Sequence, residues 1–253
     1  VIGLGNFVFF SPEDLNIIKN GPSERRRFLD MELCQLDKIY LYHLSNYNKS
    51  LIQRNKLLKD FAFYPESGTM LDVIDEQLCQ YGSVIIKMRR TFIGELNEIL
   101  YEIHKKLSGG REELVLEYEN NVEIGEFQTR LKQNREKDIK TRMTNAGPHR
   151  DDICFLVGGI DIRRFGSQGQ QRTAALSLKL GEIEIVKRNV KDTPVLLLDD
   201  VLSELDCNRQ RYLLESIHDI QTLITCTGID DFVSYNFQIN KLFQVIEGTV
   251  HEK

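Results

Sequence analysis

No G-x-x-x-x-G-K-[ST] occurs anywhere in the 253 residues, so the chain carries no phosphate-cradling P-loop in its own sequence. No apolar stretch reaches the roughly 18–20 residues that a membrane span requires. The N-terminus has no basic segment followed by an apolar run, and hence no visible signal peptide. The five cysteines, Cys34, Cys79, Cys154, Cys207 and Cys226, include no C-x-x-C pair. Their odd number and wide spacing argue for reduced thiols in a cytoplasmic protein and against a structural zinc. Internal repeats and low-complexity segments are absent. A net charge of −5 gives no global attraction to nucleic acid, so any such role rests on a local basic patch. The first residue is not Met, and the chain is expected to begin inside a longer protein.

What is present is an ordinary globular composition, 41% hydrophobic and 28% charged, with enough length for one or two domains. Asn6-Phe-Val-Phe-Phe10 reads as a buried strand. Ser11-Pro12-Glu13-Asp14 is a helix start, with Ser11 as cap and Pro12 in the first turn. Helices are expected from about Glu24, with Leu29, Leu33 and Leu36 on the apolar face, and from Ile39 to Lys59. Tyr64-Pro-Glu-Ser-Gly68 breaks the chain. Residues 69–107 hold helical spacing without proline, either as an antiparallel arm or as one extended core helix. Leu114–Tyr118 reads as a strand and 124–143 as a basic amphipathic helix. Two short strands, Ile153–Val157 and Ile160–Arg164, meet at Gly158-Gly159. A helix over 168–190 precedes a strand at Val195–Leu198, a helix from Asp206, a strand at Thr222–Thr225 and a last strand at Leu242–Glu247. Strand–helix alternation in the last third predicts an α/β fold with a mainly parallel sheet.

Two motifs carry chemistry. Val195–Leu198 is an apolar run ended by Asp199 and Asp200, the layout of a Walker B strand. There the first acid holds Mg²⁺ and the second orients or deprotonates the attacking water. Asp200 stands where many ABC-type ATPases have Glu; being one methylene shorter, it predicts slow hydrolysis, a switch rather than a motor. Ser203-Glu-Leu-Asp206 follows at D-loop spacing, with Ser203 and Asp206 expected at a dimer seam. Upstream, Ser167-Gln168-Gly169-Gln170 opens a helix as a variant of the LSGGQ signature. Its hydroxyl, N–H groups and helix dipole suit a γ-phosphate bound on a second subunit. The plainer reading of Ser167 is a helix cap without ligand. Thr225 lies where such heads place a switch histidine, and is either a γ-phosphate contact or a strand end. Arg25-Arg26-Arg27, Lys87, Arg89, Arg90, Arg130, Lys132, Arg135, Lys137, Lys140 and Arg142 are candidates for DNA-backbone contact, Arg135 and Arg142 foremost; a solvated helix face is the alternative. His149-Arg150-Asp151-Asp152 reads equally as an active-site loop or a polar turn. Together these predict an incomplete ABC-type ATPase head of the P-loop NTPase fold with a helical second lobe. Residues 1–10 and 145–253 form the ATPase lobe in this division, and 11–144 the helical lobe.

Four segments together resemble the RecF family of bacterial recombination mediators: Phe10-Ser-Pro-Glu-Asp-Leu15, Arg25-Arg-Arg-Phe-Leu-Asp30, Gly147-Pro-His-Arg-Asp-Asp-Ile153, and the signature through Ser203-Glu-Leu-Asp206. The resemblance spans essentially the whole chain, and the family's Walker A segment falls upstream of it. It implies a cytoplasmic, SMC-like ATPase that dimerises with ATP and binds duplex DNA and gap junctions. It further implies action with RecR, and in one pathway with RecO, to load RecA at gaps. Asp199 would hold Mg²⁺, Asp200 would act as base, and Ser167, Gln168, Gly169 and Gln170 would contact ATP in trans. Ser11-Pro12-Glu13 falls near the Q-loop position without a glutamine, which leaves Glu13 unassigned. The complete protein is expected to be a slow DNA-dependent ATPase and this chain to be inactive without a P-loop. Two other readings stand beside it: a non-catalytic module that binds DNA or a partner, and another SMC-type or transporter head.

Overall fold

The computed structural model describes residues 7–61, 68–190, 193–227 and 239–252. The break at Tyr64–Ser67 lies outside them. Strand β1 (Phe7–Phe10) pairs in parallel with β5 (Val195–Asp199), and β5 pairs in parallel with β6 (Thr222–Thr225). The register sets Phe10 beside Leu198 and Asp199 beside Thr225, so the acidic end of β5 adjoins the end of β6. Val8, Phe10, Leu196 and Leu198 are buried on one face, whereas Phe7, Phe9 and Leu223 are exposed on the other. The apolar run at 195–198 thus belongs to a strand with one covered face. Parallel sheets are normally covered on both, and the described residues supply only one layer.

That layer is α7 (Gln168–Val190), buried all round through Ala174, Ala175, Leu176, Leu178, Ile183 and Val186. A helix buried on every side is an interior helix, and among the polar side chains of α7, Lys179 pairs with Glu182 at 2.6 Å and Ser177 donates to Thr173 O at 2.8 Å. Against it lies α3, which runs unbroken from Gly68 to Leu107. Of the two readings for 69–107, one extended core helix is the one observed; Leu71, Leu78, Ile85, Ile86, Leu96 and Leu100 bury its apolar stripe. Gly181 lets the two helices approach, since a Cβ there would lie 2.9 Å from a Leu100 methyl. Helix α2 (Lys38–Asp60) packs antiparallel to α3, with Arg54 meeting Asp75, Tyr47 meeting Gly82 and Tyr40 meeting Arg89. Helix α1 (Pro22–Leu36) buries Phe28, Leu29 and Leu33 at the junction.

A second, antiparallel sheet joins β2 (Leu114–Glu119), β3 (Asp152–Val157) and β4 (Ile160–Asp161), so its strands come from both sides of position 144. Two expectations change here. Residues 124–143 are not one helix but a 3-10 turn at Ile124–Glu126 followed by α4 (Phe127–Gln133) and α5 (Arg135–Thr141), parted at Asn134. Buried Phe127 and Leu131 anchor α4, while the buried carboxylate of Asp138 draws α5 toward Arg54. Residues 160–164 are not one strand: Asp161 accepts a hydrogen bond from Arg163 N (3.0 Å), caps α6 (Ile162–Phe165) and ends β4 after two residues. Helix α8 (Cys207–Ser216) follows the acidic loop, and the terminal strand β7 (Phe243–Ile246) belongs to a hairpin with β8 (Thr249–Glu252) that the sequence did not announce. None of the five cysteines forms a disulfide. No helix among the described residues is long and apolar enough to cross a membrane.

Candidate functional site

Strand β5 delivers Asp199 and Asp200 to the C-terminal edge of the parallel sheet, the place where open α/β folds bind ligands. Asp199 Oδ1 accepts a 2.6 Å hydrogen bond from Thr225 Oγ1. Asp200 departs from strand geometry with φ +50°, in the left-handed region. Asp tolerates this conformation better than most residues, yet it is of a kind that surrounding structure must hold. Three bonds hold it: Asp200 N donates to Thr225 O (3.2 Å) and to Thr225 Oγ1 (3.1 Å), and Ser203 Oγ donates to Asp200 O (2.8 Å). Thr225 therefore orients the Asp199 carboxylate and holds the Asp200 backbone, a role its spacing alone does not reveal.

Ser167 and Gln170 form a reciprocal capping box on α7. Gln170 N donates to Ser167 Oγ (3.2 Å), and Ser167 N donates to Gln170 Oε1 (3.0 Å). The cap reading is realised, and the hydroxyl proton of Ser167 remains available to an acceptor. Gln170 Nε2 donates in turn to Glu112 Oε1 (2.9 Å), whose other oxygen lies 3.8 Å from Nε2 of the buried His104. His104 Nδ1 contacts Ser177 Oγ at 2.9 Å. Burial lowers the pKa of His104 and favours the neutral ring. Among the described residues no hydrogen bond joins 167–170 directly to Asp199 or Asp200. The link runs instead through the D-loop segment. Asp206 caps α8, accepting from Asn208 N and Arg209 N at 3.1 Å each, and pairs with the Arg209 guanidinium. Glu204 pairs with Arg172 of α7 at 3.1 Å. A small cavity of about 170 Å³ lies between them, lined by Pro12, Glu13, Asn16, Arg172 and Glu204.

The basic candidates separate into two kinds. Arg25 is buried: Nε and Nη2 grip Asp152 at 2.6 and 3.0 Å, and Nη1 donates to the carbonyls of Ile17, Ile18 and Asn20. Arg26 donates to Asp151 O (2.9 Å). Arg89, also buried, reaches Asp30 (2.7 Å), Tyr40 Oη (2.9 Å), Pro148 O (2.8 Å) and Asp151 (3.4 Å). Arg135 is paired with Asp72 (2.5 Å) and Asp75 (2.9 Å). Arg142 ends α5 with φ +56° and is exposed, as are Arg27, Lys87, Arg130, Lys132, Lys137 and Lys140. The segment at 149–152 is therefore a structural hub. Asp151 is fully buried, accepts from Asn121 N (2.7 Å) and Tyr118 Oη, and burial raises its pKa. His149 Nε2 lies 3.0 Å from the Thr144 carbonyl, which can only accept, so Nε2 carries the proton and Nδ1 accepts from Tyr47 Oη at 2.7 Å. Burial pushes its pKa down to about 4.

No family model matches the chain. Among curated proteins, the DNA replication and repair protein RecF of Agathobacter rectalis is 61% identical over 250 residues, covering 99% of this chain and 69% of that protein. The chain belongs to the RecF family. The RecF protein of Lachnospira eligens is 60% identical over 252 residues with the same coverage. Two solved structures of the recombination mediator RecF in the RecFOR pathway, as RecF-ATPrS and as RecF-ATP, superpose with TM-scores of 0.90 at 38% and 37% identity. They match 99% and 100% of this RecF-family chain, which spans 68% of each. A Pyrococcus furiosus Smc head aligns over 98% of the chain and 61% of its own length with a TM-score of 0.50 at 17% identity, a likeness of fold alone. The architecture is accordingly the α/β fold of an ABC-type ATPase head with helical additions.

Proposed function

We propose that this chain is the signature, Walker B and D-loop portion of a RecF-type recombination-mediator ATPase that dimerises with ATP on DNA and acts in repair and recombination. The observation that carries this reading is the separation of two half-sites within one chain. The acids at the end of β5 and the capped end of α7 are each built, yet no hydrogen bond among the described residues joins them directly. A second subunit supplies the missing juxtaposition, with Ser167, Gln168, Gly169 and Gln170 facing the phosphates bound by the partner, and Ser203 and Asp206 at the seam. Thr225 acts within its own subunit by steadying the acids. The uncovered face of β1 and β6, with Phe7, Phe9 and Leu223 exposed, is suited to the further segment that the longer relatives possess.

The donor set fits Mg²⁺ shared with a nucleotide. No cluster of three or more metal-binding side chains occurs among the described residues, while one oriented carboxylate is what a cation completed by phosphates and water needs. Asp199 would hold that ion, which supplies charge neutralisation at the phosphates. Asp200, fixed by Thr225 and Ser203, would orient the attacking water and accept its proton at a carboxylate oxygen. Arg142 and the exposed basic residues of α4 and α5 are proposed to meet the DNA backbone, with Arg135 holding α5 in place through Asp72 and Asp75. The ATPase lobe (1–10 and 145–253) and the helical lobe (11–144) would divide these tasks. RecR, RecO and, indirectly, RecA are the proposed partners, in the cytoplasm. Without a P-loop the chain alone is proposed to bind ATP weakly and turn none over. The test is ATP hydrolysis by the chain extended upstream with its relatives' segment. Slow, DNA-stimulated turnover that disappears in Asp200→Asn is expected; turnover indifferent to Asp200→Asn would contradict the assignment.

A further inference from the structure

The D-loop segment is tied at both ends. On one side Ser203 Oγ holds the carbonyl of Asp200. On the other, Arg209 projects from the first turn of α8 onto α7. Its Nη2 donates to Thr173 Oγ1 (2.5 Å) and to Gly169 O (3.3 Å), and its Nε donates to Thr173 Oγ1 (3.1 Å). The same guanidinium pairs with Asp206. Thr173 Oγ1, while accepting from Arg209, donates to Gly169 O at 2.7 Å. One side chain thus spans the D-loop acid, the signature helix and the carbonyl of the signature glycine.

We propose that Arg209 is a positioning residue that joins the D-loop and the signature turn of one subunit into a single rigid body, so that both meet the partner's nucleotide together. This rests on the two-subunit reading above. Arginine suits the task because a planar fork presents several fixed donors at once. Lysine keeps the charge but, as a compact ammonium, lacks the fork that grips Thr173 and Gly169 while pairing with Asp206. The parallel bridge from Arg172 to Glu204 is half exposed on both sides, with side-chain accessibilities of 47% and 41%. Arg172 also donates to the Glu204 carbonyl (3.3 Å), but exposed pairs of this sort hold geometry weakly. The Arg209 guanidinium is 23% exposed and adds its bonds to Thr173 and Gly169, which makes it the more enclosed tie. Its grip on Thr173 also explains a threonine in the second turn of α7, where the site itself requires no hydroxyl.

The experiment uses the chain extended with its relatives' upstream segment. Three quantities are read: nucleotide affinity of the monomer by a fluorescent ATP analogue at low protein concentration, the dimer dissociation constant with Mg-ATP by sedimentation, and kcat. The variants are Arg209→Ala, Arg209→Lys, Thr173→Val and the Arg209→Ala/Thr173→Val double mutant. Monomer affinity within about twofold of wild type is expected throughout, together with a dimer dissociation constant raised roughly tenfold and a lower kcat; tenfold is the loss of one charge-assisted hydrogen bond. Arg209→Lys should behave as Arg209→Ala, and the double mutant as the worse single mutant. Wild-type dimerisation in Arg209→Ala would overturn the proposal, as would rescue by lysine or losses that multiply in the double mutant. An unchanged dimer together with turnover abolished in Asp200→Asn would condemn the role of Arg209 alone. Turnover surviving in Asp200→Asn would condemn the site reading and this proposal with it.

Discussion

Replacing Arg89 by methionine tests whether the Gly147–Ile153 segment is a structural hub. The side chain is 2% exposed and donates to Tyr40, Pro148 O, Asp30 and Asp151. Methionine fills much of the aliphatic stem, so the cavity contribution stays small. What is lost is the cation between Asp151, whose side chain is fully buried, and Asp30, which is 28% exposed. Removing one partner of a buried ion pair costs about 3–5 kcal/mol, because the remaining charge stays desolvated. The Pro148 carbonyl loses its donor as well, but that cost overlaps the first and is not added to it. Against a total stability of roughly 5–15 kcal/mol the loss is large. In a chain of this size it corresponds to a melting temperature lower by roughly 6–20 °C. Urea titration followed by circular dichroism reads the loss, with an unchanged m-value showing that the denatured state is the same. In the extended protein, assayed well below the melt, ATP turnover should persist, because the hydrogen-bond partners of Arg89, namely Tyr40, Pro148, Asp30 and Asp151, all lie outside β5 and α7. A stability loss under about 1 kcal/mol, or normal stability with abolished turnover, would refute the hub and restore the active-site loop.

Two further outcomes follow from neighbouring packing. His149 is held neutral, with its pKa depressed from an ordinary value near 6.5 to about 4. The unfolded chain therefore takes up the proton first as pH falls, and the His149 contribution to stability is lost between about pH 6.5 and 4 and changes no further below that. The full shift is worth up to about 3 kcal/mol; urea midpoints across this range should fall less steeply in His149→Gln than in wild type, and parallel curves would contradict the assignment. Gly82→Ala would set a Cβ 2.6 Å from Phe127 Cε1 and 3.0 Å from Tyr47 Cε2, where α2, α3 and α4 converge. Overpacking of this kind costs about 1–3 kcal/mol, and an unchanged thermal melt would show that the ring of Phe127 yields freely.

Most strands and the long helices α2 and α7 were legible because their signals are local, whereas β8 was not announced and the spacing of 69–107 left an arm and a single helix both open. The run Val195–Leu198, the caps at Ser11 and Ser167, and the unbroken spacing of α2 and α7 each declare an element within a few residues. The arginines were not legible. Arg25 finds Asp152 at a separation of 127 positions and Arg89 finds Asp151 at 62, so the residues that read as a basic surface became the interior of the junction. Charge alone does not reveal whether a guanidinium faces solvent or a buried carboxylate. The split at Asn134 escaped for the same reason, since the pull on α5 comes from Arg54, 84 positions from Asp138. Within the site, the acids and the capped turn were readable by spacing. Glu112 was not, because it meets Gln170 only through the fold. Arg209, three positions beyond Asp206, had a local signal in that spacing, but only its reach to Gly169 and Thr173 shows what it connects.

The most direct measurement is sedimentation of the extended protein with and without Mg-ATP, beside the same experiment on the present chain. ATP should convert the extended protein from monomer to dimer, Ser167→Arg should abolish the shift, and the present chain should not respond. An extended protein that stays monomeric with ATP, or that dimerises equally without it, would contradict the claim that residues 167–170 and 199–206 are half-sites completed by a second subunit.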